Sequence, residues 1–130
     1  MKLSLVIALK NEEDNIVPLI QDIHKSLENF SLEIILVDDG STDQTRLRIL
    51  SLKDDTVRLI VFQKNYGQTH ALTAGIEAAT GDYIVTLDGD RQNDPSDIPA
   101  MVELLERDDW DLVAGKRANR QDGMFMRKIP

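Results

Sequence analysis

Two carboxylates, Asp88 and Asp90, stand on either side of a single glycine in the stretch 87–95, which reads Leu-Asp-Gly-Asp-Arg-Gln-Asn-Asp-Pro. With Gln92 two residues further on, the stretch offers the hard oxygen ligands that Mg²⁺ or Mn²⁺ prefers. Gly89 allows the backbone to approach its surroundings closely. Asp and Gly are also ordinary turn residues, so this motif alone is equally consistent with a solvated turn. Its interpretation depends on the elements that position it.

An apolar, β-branched run at residues 82–86 comes directly before the motif and predicts a buried strand. The two carboxylates then emerge at the carboxyl end of that strand, where open α/β sheets bind ligands. Polar clusters also follow the first and second predicted strands, at 10–12 and 38–39. Together they predict a nucleotide site in which Asp39 accepts hydrogen bonds from a base or ribose, while the paired carboxylates hold a divalent ion that neutralises a diphosphate. Neither a Gly-x-Gly-x-x-Gly fingerprint nor a P-loop motif occurs, which disfavours a dinucleotide fold or a P-loop enzyme.

Strand-like and helix-like segments alternate along the chain, which predicts an α/β fold with a mostly parallel sheet and right-handed crossovers. The predicted strands are 3–9, 33–37, 57–62, 82–86 and 111–115. The predicted helices are 16–29, 43–53, a small-residue helix from the turn at 65–68 to Ala79, and 97–107. No internal repeat or linker is visible, so we expect one domain over residues 1–130.

Composition limits the class of protein. The 130 residues are 42% hydrophobic and contain neither a membrane-length apolar run nor a signal-peptide pattern, so we expect a soluble, intracellular chain. The absence of Cys excludes disulfides, thiolate catalysis and Cys-ligated zinc. Residues 116–130 carry five basic groups and one acidic group, a net charge of +4. Since the net charge of the whole chain is −8, the first 115 residues carry a net charge of −12. This acidic body argues against a nucleic-acid partner and requires a metal or the basic segment at any phosphate site.

Several segments, in this order and spacing, resemble the GT-A glycosyltransferases of family 2. These segments are 5–13, 37–43, 65–67, 74–82 and 87–90. The extension 92–95 and the basic residues within 115–130 are more similar to one branch, the polyprenyl-phosphate sugar transferases of the dolichol-phosphate mannose synthase type. The resemblance implies a Rossmann-like three-layer sandwich. It also implies inverting transfer of a hexose from a UDP- or GDP-linked sugar to an undecaprenyl or dolichyl phosphate, at the cytoplasmic face of a membrane.

The resemblance further implies roles for individual residues. Those matching nucleotide-sugar contacts are Ala8, Lys10, Glu12, Val37, Asp39, Asp88, Gly89 and Gln92, with Ala8, Lys10 and Val37 lining the base and ribose. Those matching ligands of Mg²⁺ or Mn²⁺ are Asp88, Asp90 and Gln92. Those matching catalytic groups are Asp90, Arg117 and Arg127, with both arginines meeting phosphate groups of donor or acceptor. Since a lipid phosphate is already an anion at neutral pH, we expect electrostatic catalysis without a general base.

Simpler roles remain open at some of these positions. Glu12 is also suited to be a first-turn carboxylate favoured by the helix dipole, and Gln92 to be a solvated side chain. We expect Asp38 to bond turn amides and Asp43 to start a helix. Three rival functions also remain: a nucleotide-binding module without catalysis, a receiver-like or phosphatase-like domain using clustered Asp, and a family 2 transferase with a hydroxyl acceptor.

The chain departs from the family pattern at two places. Ala8 and Lys10 stand where many relatives have Pro and Tyr, which affects base stacking at that loop. The chain also ends at Pro130, where the family continues with a further strand, helices and often membrane spans. We therefore expect the donor-binding part of a larger enzyme, truncated at the C-terminus, that turns over poorly and reaches the membrane through the missing part. An apolar face exposed by truncation would favour self-association.

Overall fold

A computed structural model describes residues 1–90, 93–107, 112–116 and 123–128, and a six-stranded sheet lies at its centre. The strands are β1 (Lys2–Leu9), β2 (Ser31–Asp39), β3 (Val57–Phe62), β4 (Tyr83–Asp88), β5 (Leu112–Lys116) and β6 (Gly123–Lys128). Their order across the sheet is β3-β2-β1-β4-β6-β5. The first four strands are parallel, whereas β6 is antiparallel to both of its neighbours. The predicted α/β class with a mostly parallel sheet is confirmed.

Helices cover both faces of the sheet and produce three layers. They are α1 (Ile16–Ser26), α2 (Thr45–Ser51), α3 (Gln68–Ala78) and α4 (Ile98–Arg107), the last preceded by a 3₁₀ turn at Pro95–Asp97. Buried residues of α1 and α4 pack with one face of the sheet in the larger core. Ala71 of α3 packs with Val6, Ile35 and Val37 in a smaller core on the other face. Successive residues of β1 and β2 thus enter opposite cores, as side chains on a strand must.

The small residues of α3 allow it to lie close against the sheet, as the sequence predicted. A Cβ atom added at Gly75 would lie 2.3 Å from Cγ1 of Val6 and 3.2 Å from Cγ2 of Val37. A larger residue at this position would push the helix away from β1 and β2. The sheet is therefore covered on this side by a helix that fits only because of a glycine.

The strand β6 was not predicted. The sequence analysis placed a strand at 111–115 and interpreted the following residues only as a basic segment, but Gly123–Lys128 forms a strand between β4 and β5. Its residues pair with β4 over Tyr83 to Thr86, stopping short of the carboxylates.

In the described ranges, α1 and α3 are the longest helices with eleven residues each, and no helix is long and apolar enough to cross a bilayer.

A buried carboxylate, Glu33, joins three strands at the amino end of the sheet. Its Oε2 accepts hydrogen bonds from Ser4 Oγ at 2.5 Å, Thr80 N at 2.6 Å and Thr80 Oγ1 at 2.9 Å. Its Oε1 accepts one from Arg58 Nη1 at 3.0 Å. Burial favours the neutral acid, but these hydrogen bonds outweigh it and lower the pKa of Glu33 to about 2. The charged form of Glu33 is thus stabilised by folding.

Because the pKa of Glu33 is lowered in the folded state, its charge should stabilise the protein above the unfolded pKa of 4.5 and stop doing so as the pH falls toward 2. We expect Glu33→Gln to lower the free energy of unfolding by about 3 kcal/mol at neutral pH. The difference from the wild type should shrink as the pH is lowered below 4.5. Urea denaturation over this pH range checks it, with the exposed Glu28→Gln as the matched control. A difference that stays constant with pH would contradict the assignment.

Candidate functional site

A cleft of about 220 Å³ opens at the carboxyl edge of the parallel strands. Its lining residues are Ala8, Leu9, Lys10, Glu12, Asp39, Gln68, Asp88, Gly89 and Asp90. In the strand register, Ala8 of β1 lies beside Val37 of β2 and Asp88 of β4, which brings the ends of three strands together. The polar clusters that the sequence placed after these strands therefore meet in one cleft.

The Asp88-Gly89-Asp90 loop is held tightly against β1. The backbone N–H of Asp88 donates to Oδ1 of the buried Asn93 at 2.7 Å, which closes the loop. A Cβ atom added at Gly89 would lie 2.2 Å from Cδ2 of Leu9 and 3.2 Å from the Ala8 carbonyl oxygen. The glycine thus permits the close approach that the sequence analysis expected, and both carboxylates reach the cleft from a fixed backbone.

Asp38 has the structural role that the sequence predicted for it. Its side chain is fully buried, and its Oδ1 accepts a hydrogen bond from the backbone N–H of Ser41 at 2.9 Å. Its Oδ2 pairs with Nε of Arg46, whose Nη2 also donates to the Phe62 carbonyl oxygen at 2.9 Å. Arg46 therefore ties the end of β2 to the end of β3.

Asp39 lines the cleft and also holds the turn before α3. Its Oδ1 accepts from the backbone N–H of Tyr66 at 2.7 Å, and its Oδ2 accepts from that of Gly67 at 3.0 Å. A carboxylate has about four acceptor positions, so these two bonds leave capacity for a ligand. The contact of Asp39 with a base or ribose stays a prediction, but the side chain is fixed in place for it.

The loops after β1 and β2 are locked together by hydrogen bonds across the wall of the cleft. Asn11 adopts a left-handed φ of 54°, which Asn tolerates better than most residues. The bonds join Asn11 N to Ser41 Oγ, Thr42 N to Asn11 Oδ1, Glu12 N to Thr45 Oγ1 and Gln44 N to Glu13 Oε2. The Glu12 carboxylate faces the cleft and also accepts from Asn15 Nδ2 at 2.6 Å, just before α1. It therefore serves the start of the helix as well as the cleft.

Asp43 starts α2, as predicted. Its Oδ1 accepts from the backbone N–H of Thr45 at 2.9 Å and from its hydroxyl at 2.5 Å. Burial works against the charged form, but these bonds and one from the Glu13 amide hold the pKa of Asp43 below its ordinary value. The Asp43 carboxylate is thus engaged by Thr45 at the start of α2 and by the backbone N–H of Glu13.

The donor set suits a divalent ion that is shared with a ligand. Over the part of the chain that the structure describes, no three acidic or histidine side chains form a group that could hold a metal by themselves. Asp88 and Asp90 line one cleft, and Mg²⁺ is commonly held by one or two carboxylates together with phosphate oxygens and water. The two carboxylates therefore fit an ion that a diphosphate would complete.

Of the four remaining residues expected at the nucleotide site, two lie elsewhere in the fold, and two are outside the residues that the structure describes. Val37 is fully buried in the core beneath α3 and is not among the residues lining the cleft. Its contact with base and ribose stays a prediction. Arg127 lies in β6 opposite Ile84, four residues before Asp88, which is roughly 13 Å along a strand. Its contact with a phosphate stays a prediction. Gln92 and Arg117 lie outside the described residues.

Sequence reasoning missed supporting residues of the cleft. It treated Gln68 only as part of a turn, yet Gln68 lines the cleft. The signal was present, because a helix that follows a parallel strand begins at the carboxyl edge of the sheet. Asn93 and Arg46 act through bonds to Asp88 and Asp38, and the sequence carries no local signal for such pairings.

The family model for glycosyl transferase family 2 matches residues 4–128 of the chain. Dodecaprenyl-phosphate galacturonate synthase of Rhizobium johnstonii is 46% identical over 135 residues, which covers 100% of this chain and 40% of that protein. Undecaprenyl-phosphate 4-deoxy-4-formamido-L-arabinose transferase of Proteus mirabilis is 40% identical over 129 residues, which covers 95% of this chain and 39% of that protein. The chain thus spans about 40% of the length of these curated relatives.

Solved structures share the fold. A mannosyltransferase from Pyrobaculum calidifontis, in complex with GDP-Man and Mn²⁺, superposes with a TM-score of 0.81 at 20% identity and covers 97% of this chain and 44% of its own. Glucosyl-3-phosphoglycerate synthase from Mycobacterium tuberculosis, in complex with Mn²⁺, UDP and phosphoglyceric acid, superposes with a TM-score of 0.80 at 22% identity. The superposition covers 98% of this chain and 55% of that structure's chain. At these identities the superpositions establish the GT-A fold, and the match of the family model establishes descent. The chain belongs to glycosyl transferase family 2.

Proposed function

We propose that the chain is the single donor-binding domain of an inverting, metal-dependent glycosyltransferase. In this proposal a hexose passes from a nucleotide diphosphate sugar to a polyprenyl phosphate at the cytoplasmic face of a membrane. The observation that carries it is the cleft itself, which has Asp39 at one end and Asp88 with Asp90 at the other. Since β1 separates β2 from β4, these ends are two strand spacings apart, roughly 10 Å. That span leaves room for a ribose and a phosphate between a base and a metal ion.

The relatives support the choice of donor and acceptor. Both curated relatives described above are named for a polyprenyl phosphate, dodecaprenyl in one and undecaprenyl in the other. The two superposed structures contain GDP-Man or UDP, each with Mn²⁺. A UDP- or GDP-linked sugar as donor, Mg²⁺ or Mn²⁺ as the ion and a polyprenyl phosphate as acceptor are therefore consistent with fold and family.

Each group in the cleft has a defined part in this proposal. Asp88 and Asp90 would hold the divalent ion, which supplies positive charge to the diphosphate leaving group. Asp39 and Glu12 would bind the nucleoside from backbones fixed by the turns around them. The acceptor phosphate attacks the anomeric carbon as an anion, so the chain needs to position and screen charges rather than remove a proton. Arg117 and Arg127 are the predicted partners of the phosphates.

A receiver-like or phosphatase-like function is disfavoured by the state of Asp38. Such a domain needs an accessible Asp at the site, whereas Asp38 is fully buried and bonded to Ser41 and Arg46. Asp39 is likewise engaged by two backbone amides. The clustered carboxylates of β2 are thus supports for the cleft and poor candidates for phosphorylation.

Calorimetric titration of the chain with UDP and GDP, first with Mn²⁺ and then with EDTA, tests the proposal. We expect one nucleotide to bind with Mn²⁺ and to bind much more weakly after EDTA, because the cleft without an ion presents four carboxylates to the phosphates. Failure of both nucleotides to bind a chain that is folded by circular dichroism would contradict the donor site. Turnover with a polyprenyl phosphate, compared with turnover with a hydroxyl acceptor, would then separate the two acceptor classes.

A further inference from the structure

Lys10 lies where a ligand spanning the cleft must cross the sheet. Ala8 in β1 pairs with Val37 of β2 on one side and with Asp88 of β4 on the other. Lys10 is two residues further along, just beyond the end of β1. Because β1 is the strand between β2 and β4, Lys10 leaves the sheet between Asp39 and Asp88. Its side chain is exposed and lines the cleft.

Lys10 is surrounded by carboxylates in the cleft, which suits it to bind an anionic ligand. Four carboxylates line the cleft, those of Glu12, Asp39, Asp88 and Asp90, and among the described lining residues Lys10 is the only cation. Within the described part of the chain, its ammonium group forms no ion pair or hydrogen bond. A lysine side chain is a flexible point charge with three donors, suited to a phosphate oxygen. Lys10 is therefore available for an anionic ligand.

A nucleoside diphosphate in this cleft would be stabilised by such a cation. The two positive charges of a bound divalent ion are matched by the carboxylates of Asp88 and Asp90. Among the described lining residues, Lys10 is then the one counter-charge left for the phosphates in an acidic cleft, where like charges repel. In a ligand with its nucleoside at Asp39 and its terminal phosphate at the ion, the phosphate next to the nucleoside would pass over the end of β1, the strand between β2 and β4.

We propose that Lys10 Nζ binds the phosphate attached to the nucleoside of the donor, and so links the nucleoside end of the cleft to its metal end. This inference rests on the proposed donor site and replaces the expected contact of Lys10 with base or ribose by a contact with phosphate. Lys10 acts here as a binding residue that is independent of the metal ion.

The test compares Lys10→Gln with wild type for ligands that differ only in phosphate. NMR titrations with UDP, UMP and uridine, each with Mg²⁺ and with EDTA, give the dissociation constants. If the wild type prefers a guanine nucleotide, the titrations use GDP, GMP and guanosine instead of UDP, UMP and uridine. We expect Lys10→Gln to bind the diphosphate and the monophosphate about tenfold more weakly, since a hydrogen bond between charged groups is worth that factor. Nucleoside binding should be unchanged, and Lys10→Arg should retain most of the affinity.

Lys25→Gln is the matched control, because it removes the same charge from an exposed position on α1 that does not line the cleft. Equal weakening for the nucleoside would place Lys10 at the base or ribose and overturn the inference. Unchanged affinity for all three ligands in a Lys10→Gln chain would also overturn it, while the metal-dependent binding of wild type would leave the donor site standing. A folded wild-type chain that binds none of the ligands would overturn both.

Discussion

Asp88→Asn is expected to weaken Mn²⁺-dependent nucleotide binding by at least about 30-fold, because losing one member of a close charge pair costs about 2–5 kcal/mol. The asparagine keeps the shape of the side chain, and the backbone N–H of residue 88 can still donate to Asn93. The fold of the loop should thus survive while the ion loses a carboxylate. Calorimetric titration with Mn²⁺ and the preferred nucleotide measures the effect.

The design separates loss of a ligand from loss of charge. Asp55→Asn changes the net charge equally, but Asp55 is exposed in the connection between α2 and β3, at the opposite edge of the sheet. It should leave nucleotide binding unchanged. In EDTA, where no ion is bound, Asp88→Asn should bind the nucleotide no more weakly than wild type, because it removes one of the carboxylates that repel the phosphates. An Asp88→Asn chain that retains metal-dependent binding would place the ion elsewhere in the molecule.

Local patterns were enough to predict the parallel half of the fold. The run at residues 57–62 is both the predicted and the observed β3, since an apolar strand and its flanking turns are encoded within a few residues. The helices were also predicted, although α1 ends at Ser26 and α2 at Ser51, before the expected positions. Amphipathic spacing identifies a helix better than its last turn, which frays or tightens according to tertiary contacts.

Features that depend on distant pairings were not predictable. The strand β6 is short and lies within the basic segment, and one of its partners, β4, lies about 40 residues earlier in the chain. Nothing local to Gly123–Lys128 specifies that it also pairs with β4. The same holds within the cleft, where the residues after three strands could be grouped from topology but the bonds from Asp39 to Tyr66 and Gly67 could not. Topology predicts which side chains meet, whereas hydrogen bonding decides which of them are already engaged.

Arg46→Met is expected to lower the free energy of unfolding by roughly 3 kcal/mol, the lower end of the cost of removing one partner of a buried ion pair. The Asp38 carboxylate is fully buried, and without Arg46 it would keep the hydrogen bond from Ser41 but lose its cation. The Phe62 carbonyl oxygen would also lose a donor. Methionine retains much of the apolar stem of arginine, so the change should report mainly the lost charge and hydrogen bonds. Urea denaturation at neutral pH measures the effect.

Arg48→Met on the same helix supplies the comparison, because Arg48 is exposed and its change should stay within about 0.5 kcal/mol. The double variant Asp38→Asn/Arg46→Met should recover part of the stability, since it removes the uncompensated buried charge together with its partner. If Arg46→Met were no more destabilising than Arg48→Met, the ion pair would contribute little to the fold. If instead the double variant were less stable than Arg46→Met, the Asp38 charge would be satisfied by other groups. Recovery in the double variant would identify Arg46 as the counter-ion that permits a buried carboxylate at Asp38, the neighbour of Asp39 in β2.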